Sequence, residues 1–221
     1  MGKSLQQSEQ APHARRGWTD LSNTHGPRAL LCLRLSNAVI RPVPDFSAFS
    51  IKTKLDDGRP VTLRAVHRDD GPRIRRAFHT LGSETIHARF FEYRAEVTEA
   101  ELAQITGVDF KRDAALLVTT GAGVDEVVIG GVSYFALDDF DPPKRAELAF
   151  TIVDGYQGHG MGRVLMQEII EIARANGIHY LEADLFADNI PMLHVFQHAG
   201  LPLVLLREED TIHIRLEVRG A

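Results

Sequence analysis

The chain has 221 residues, 44% of them hydrophobic, and a formal net charge of -5. That is enough apolar chain to bury one domain core with an extension beside it. The acidic balance, spread along the chain, argues against a nucleic-acid binder, which carries a basic face.

The single cysteine, Cys32, permits no intramolecular disulfide and suits a reducing cytosol, so the protein reads as cytoplasmic. Residues 1–50 read as a partly irregular N-terminal extension. Gln, Ser, His, Arg and Pro dominate it up to Pro27, without periodicity. Its longest apolar run, Ala29 to Leu33, is far short of the roughly 20 apolar residues of a membrane span. It is also shorter than a signal-peptide core. Leu30 to Ile40 reads either as a strand laid against the domain or as more of the extension.

Residues 51–221 read as the folded domain, with its first organised element near Pro60. Val61, Leu63 and Ala65 alternate with polar residues, which predicts a strand. Asp69 or Asp70 then caps a helix with Pro72 in its first turn, ending near Gly82. Ser83 starts a short second helix. Thr98 to Glu101 is a capping box for a third, closed by Gly107. Ala114 to Thr120 and Glu126 to Tyr134 are strands joined at Gly121-Ala122-Gly123 as a hairpin. Asp138 to Lys144 is a loop. Glu147 to Val153 is a strand, Gly160 to Asn176 a long helix, and His179 to Phe186 another strand. Asn189-Ile190-Pro191 opens the last helix, which stops at Ala199-Gly200. Val204 to Arg207 and Thr211 to Val218 form a final hairpin. This order predicts an α/β (α+β) fold: a mixed, mostly antiparallel sheet of about seven strands with helices on both faces. The one strand–helix–strand crossover makes a right-handed parallel pair.

Between strand and long helix lie Gln157, Gly158, His159, Gly160, Met161 and Gly162. A glycine-rich turn at a helix start presents unpaired N–H groups and the positive end of the helix dipole, which together bind phosphate. Three glycines at alternate positions exceed the needs of a tight turn. The spacing is neither G-x-G-x-x-G nor a P-loop. It is Q-x-x-G-x-G, and with the element order it resembles the GNAT N-acetyltransferase superfamily over residues 60–218. That resemblance implies a splayed strand pair holding the pantetheine arm of acetyl-CoA, with its pyrophosphate on Gln157 to Gly162, Arg163 just inside the helix, and Asn189 matching an asparagine of the family. His159 occupies a variable position and reads as a solvated loop residue or a phosphate contact. A backbone N–H near Ile152 or Val153 is the expected donor to the thioester oxyanion.

A narrower likeness rests on Ser83 to Phe91 (S-E-T-I-H-A-R-F-F), Leu102 to Asp109, Ala146 to Val153, and Asp188 to Met192 (D-N-I-P-M). These resemble bacterial Pat-type protein lysine acetyltransferases, whose targets are acyl-CoA synthetases and related proteins. The resemblance adds Met192 to the cofactor-binding set, and makes Glu147 the base that takes a proton from the acceptor ammonium. From strand position alone Glu147 reads equally as a solvent-facing residue paired with Arg145 or Lys144. Several Pat-type enzymes carry a regulatory domain, for which residues 1–50 are too few and too polar. Where many family members place an acidic tyrosine, this chain has Phe196; the thiolate can leave unassisted, or His194 or Tyr180 can serve.

Other groupings read plainly. His194 and His198 stand four apart on a helix without a third ligand, so no metal is expected. Asp138, Asp139 and Asp141 read as a solvated loop. Cys32 lies in the extension, which favours direct attack in a ternary complex over an acyl-cysteine. The expected partner is a protein bearing a reactive lysine, with no nucleic acid and no membrane; a homodimer stays open. The alternatives are an N-acetyltransferase for a small amine and a non-catalytic acetyl-CoA-binding module.

Overall fold

The computed structural model describes residues 44–219, all within the compact unit Arg41–Ala221. Cys32 and the stretch from Leu30 to Ile40 lie outside the described residues. The strands are β1 (Ser50–Lys54), β2 (Pro60–Ala65), β3 (Ala114–Thr120), β4 (Val127–Ala136), β5 (Arg145–Ile152), β6 (Tyr180–Phe186), β7 (Leu203–Glu208) and β8 (Thr211–Glu217). The helices are α1 (Gly71–Phe78), α2 (Ser83–Phe90), α3 (Glu99–Thr106), α4 (Met161–Ala175) and α5 (Ile190–Gln197). The eight strands form one sheet in the order β1-β2-β3-β4-β5-β6-β8-β7, antiparallel except for β5 beside β6.

The eighth strand, absent from the sequence reading, is β1. Its sequence S-I-K-T-K has one apolar residue, Ile51, so it carries neither an apolar run nor an apolar alternation to mark it. It is an edge strand held by backbone pairing to β2, and Phe46 and Phe49 just before it pack on the core. Its residues 51–54 fall in the stretch read as the folded domain, and Ser50 at its start is the last residue of the stretch read as extension.

Alternation along β4 and β5 separates the two faces. Gly130, Val132 and Tyr134 pair with Ile152, Phe150 and Leu148, and this face receives α4 and α5. Met161 reaches Gly130, Phe196 meets Phe150 edge-on at 6.1 Å, and Asn176 at the end of α4 donates to the Tyr134 hydroxyl at 2.8 Å. Leu165, Met166, Ile169, Ile172 and Ala173 recur at helical spacing and bury this side of α4. The opposite face receives α2. Helices α1 and α3 pack with it through Phe78, Ile86, Val97 and Leu102.

The local signals hold in detail. Thr98 and Glu101 complete their capping box. Asp70 stands at the N-cap of α1, but its buried carboxylate turns to Arg64, 2.7 and 2.8 Å away, instead of capping. Asp138 organises its loop by accepting from the N–H groups of Phe140, Lys144 and Arg145.

Candidate active site

Strands β5 and β6 touch only through Arg145, Ala146 and Glu147, set against Tyr180, Leu181 and Glu182. Past that point β5 runs on to Ile152 and β6 to Phe186 without pairing, so the two strands splay. The register shows what the gap exposes. Leu137 N–H donates to Arg145 O and Val153 N–H to Ile129 O, at 2.9 and 3.0 Å. In an antiparallel ladder the intervening residues direct their backbone groups the other way. Leu148, Phe150 and Ile152 therefore turn their backbone toward β6. The Leu148 N–H completes the pairing of Glu147 with Glu182, and beyond it the Leu148 C=O and the groups of Phe150 and Ile152 face the gap, where no strand covers them. Of the two backbone donors expected from sequence, Ile152 faces the gap, whereas the Val153 N–H is taken by β4. Phe150 joins Ile152 there; sequence reasoning missed it because ladder parity is visible only once the register is known.

The loop at the mouth of the gap is tied down on both sides. Gln157 Nε2 donates to Ile152 O at 3.0 Å and to Thr85 Oγ1 at 3.1 Å. Asp154 accepts from Gly82 N–H and Thr85 Oγ1, both at 2.8 Å, which fixes the start of α2 to the loop. These bonds, with burial opposing them, hold the Asp154 carboxyl below its usual range. Gly158 and Gly160 have φ of +75° and +78°, the left-handed region that favours glycine. A Cβ at Gly158 would meet nothing within 4 Å, so its backbone is open to a ligand. A Cβ at Gly162 would lie 3.0 Å from Val195, so that glycine serves close packing of α4 on α5.

The remaining expected residues divide. Arg163 is exposed in the first turn of α4. The Met161 side chain is 3% exposed and packed on β4, leaving only its backbone at the loop. His159 turns its Nδ1 to Asp57, 3.4 Å away. Asn189 caps α5 by accepting from Met192 N–H at 3.2 Å, and Met192 is half-buried against the core. Phe196 is 1% exposed. His194 is exposed on α5, and Tyr180 lies under Arg215 and Arg219. Among the described residues no group of three or more His, Cys, Asp or Glu is placed to hold a metal, and no helix is long and apolar enough to cross a membrane.

Glu147 is half-buried at the foot of the splay, the last residue of β5 to pair with β6. Its side chain lies on the α2 face. There its carboxylate supports the Arg89 guanidinium of α2, whose pKa burial pushes down. Glu182, its partner across the pair, is buried and accepts from Arg215 Nε at 3.0 Å. Asp184 and His213 follow on the same face, 2.5 Å apart.

A free β-edge inside a splayed parallel pair, a glycine loop entering a helix, and a carboxylate at the foot of the gap define an acyltransferase-type site. The sequence pattern of the Acetyltransferase (GNAT) family matches residues 81–201, and the chain belongs to that family. It is 32% identical to "Acetyltransferase PA5475" of Pseudomonas aeruginosa over 127 residues, 58% of this chain and 67% of that protein. It is 29% identical to "Acetyltransferase Pat" of Mycolicibacterium smegmatis over 174 residues, 78% of this chain but 47% of that protein, so it spans about half of that relative's length. The GNAT domain of S. lividans PAT superposes with a TM-score of 0.68 at 24% identity, covering 76% of this chain and 96% of that domain.

Proposed function

We propose that this protein binds acetyl-CoA in the gap between β5 and β6 and transfers its acetyl group to a lysine side chain of a protein. The observation that carries this reading is the free edge of β5, running from Glu147 at its foot to the glycine loop at its tip. The Leu148 C=O, the Phe150 N–H and C=O and the Ile152 N–H face an amide-bearing arm, as a strand's groups would. The open backbone at Gly158 and the first turn of α4 receive the pyrophosphate, with Arg163 beside it. The Pat likeness supports a protein acceptor, of which an acyl-CoA synthetase is the first to try.

Glu147 takes the proton of the acceptor ammonium, directly or through one water, because a lysine of pKa about 10.4 is not nucleophilic at neutral pH. The free amine attacks the thioester carbon in a ternary complex, the C–N bond forms and the C–S bond breaks. The Ile152 N–H, aimed into the gap, meets the oxyanion. Phe196 offers no proton, so CoA leaves as the thiolate; the second N–H proton, shed as the amide forms, passes to solvent or to that thiolate, whose thiol pKa is about 8.5 by analogy with cysteine.

The test is acetyl transfer to a purified acyl-CoA synthetase, followed by CoA release beside a Glu147→Gln variant. Transfer by the wild type, with kcat reduced about 100-fold in the variant and acetyl-CoA affinity kept, supports the reading. Equal rates for both proteins would remove Glu147 from the chemistry. Small amines form the second arm, because Asp184 shares the face of Glu147 and is exposed there. Tight acetyl-CoA binding without transfer to either acceptor would point to a non-catalytic module.

A further inference from the structure

The turn between β1 and β2 is fastened to the glycine loop by a closed circuit of contacts. Asp56 N–H donates to His159 O at 3.2 Å. The Asp57 carboxylate lies 3.4 Å from His159 Nδ1. Arg59 Nε donates to that same carboxylate at 2.6 Å, while its guanidinium carbon stands 4.5 Å from the centroid of the Tyr156 ring. The circuit runs Tyr156, Arg59, Asp57, His159 and brackets the loop from both ends. Gly160 admits it, since a Cβ there would lie 2.6 Å from Asp56 Oδ2. Between turn and loop remains a cavity of about 20 Å³, lined in part by Lys54, Asp56, His159 and Gly160, which is room for one water. The Arg59 bond holds the Asp57 carboxyl below its usual range, so the pair is ionised at neutral pH.

A loop with two left-handed glycines is costly to order, because its backbone gives up conformational entropy at each residue. A loop already held in shape gives that cost back as affinity. Resting on the reading that this loop receives the acetyl-CoA pyrophosphate, we propose that Asp57 and Arg59 are positioning residues. They hold Tyr156 to Gly160 in the phosphate-receiving conformation through His159 and Tyr156, without touching the ligand.

The experiment compares the full-length wild type with Asp57→Asn, Arg59→Ala and Arg59→Lys. Acetyl-CoA binding is measured by calorimetry, and hydrogen exchange of the loop amides by mass spectrometry on the free proteins. Asp57→Asn and Arg59→Ala should weaken binding about tenfold and speed exchange in residues 156–162 while the strands exchange as before. Arg59→Lys keeps the ion pair but loses the planar stack, and should fall between. Asp57→Asn combined with His159→Gln should cost little more than either alone, as members of one circuit do. Wild-type affinity in the variants would overturn the proposal, as would additive losses, or faster exchange throughout the domain. A wild type that does not bind acetyl-CoA would instead overturn the site reading beneath it.

Discussion

The two seams beside the central strands differ in what they leave open. On the β1–β4 side, charged groups are buried against each other. Asp70 is 1% exposed and accepts two bonds from Arg64. Arg64 also binds Glu126 at 2.9 and 3.0 Å, and these bonds outweigh desolvation, so its pKa is raised. At the β5–β6 seam Glu182 is likewise buried on Arg215, but sheet pairing stops at Glu147, and beyond it backbone groups of β5 are left open. The first arrangement fixes strands and helix to one another. The second leaves polar capacity for a ligand. The rule is that a buried ionic group whose partners are all protein reads as structure, whereas polar groups aimed into a gap read as a site.

The largest effect that would break this contrast lies on the structural side. Arg64→Ala removes the two-bonded partner of the buried Asp70 carboxylate, leaving it the His67 N–H at 2.8 Å and Arg73 at 3.4 Å, at a cost of about 3–5 kcal/mol, as for a broken buried pair. In a domain of this size that lowers Tm by roughly 6–20 °C. The acetyl-CoA affinity of the folded fraction, measured by calorimetry at low temperature, should not change. Loss of affinity without loss of stability would show that the Arg64 cluster belongs to the site. Glu147→Gln should do the converse, reducing turnover about 100-fold with Tm nearly unchanged.

Most of the frame was legible because it rests on local signals. Apolar alternation at Val61, Leu63 and Ala65, the capping box at Thr98, and the long apolar face of α4 each carry their own evidence. The glycine loop was legible as a spacing. What escaped depends on pairing across long stretches of chain. Strand β1 contributes one apolar side chain and is specified by its neighbour. Its turn meets His159 a hundred residues later, and no local pattern announces that contact. The use of Gln157 to tie the loop to Ile152 and Thr85, and of the Met161 side chain to fill the core, likewise became visible only with the sheet assembled.

A smaller perturbation sharpens the loop's part in the contrast. Gly160→Ala forces a non-glycine residue into φ +78° and pushes on Asp56, at about 1–2 kcal/mol for the left-handed conformation. If the loop shape sets affinity, Kd for acetyl-CoA should rise about tenfold, as read by calorimetry. Gly158→Ala carries the same backbone strain but meets no protein atom, so its Tm, set beside that of Gly160→Ala, separates the strain from the clash with the β1–β2 turn, while its Kd also carries the intrusion of the new Cβ on the bound phosphate. Equal losses of Tm in the two variants would assign the stability effect to backbone conformation alone.

The smallest expected effect comes from the face that Glu147 shares with β8. His213 and Asp184 pair across β6 and β8 in register. The Asp184 bond raises the His213 pKa above 6.5, against burial and Arg215 and with help from Glu182. A histidine whose folded pKa exceeds its unfolded value stabilises the fold fully below the unfolded value. That contribution fades as pH rises through the folded value. Thermal unfolding followed upward from about pH 6 should therefore show Tm falling by a few degrees at most, since an exposed pair is worth about 0–1 kcal/mol. His213→Gln should flatten the slope while leaving acetyl-CoA affinity unchanged. A slope that persists in the variant would place the titrating group elsewhere. A change in acceptor KM that follows the same pH range would instead draw Asp184 and His213 into the acceptor side of the gap, and the division between structural and functional charge would then run through β6.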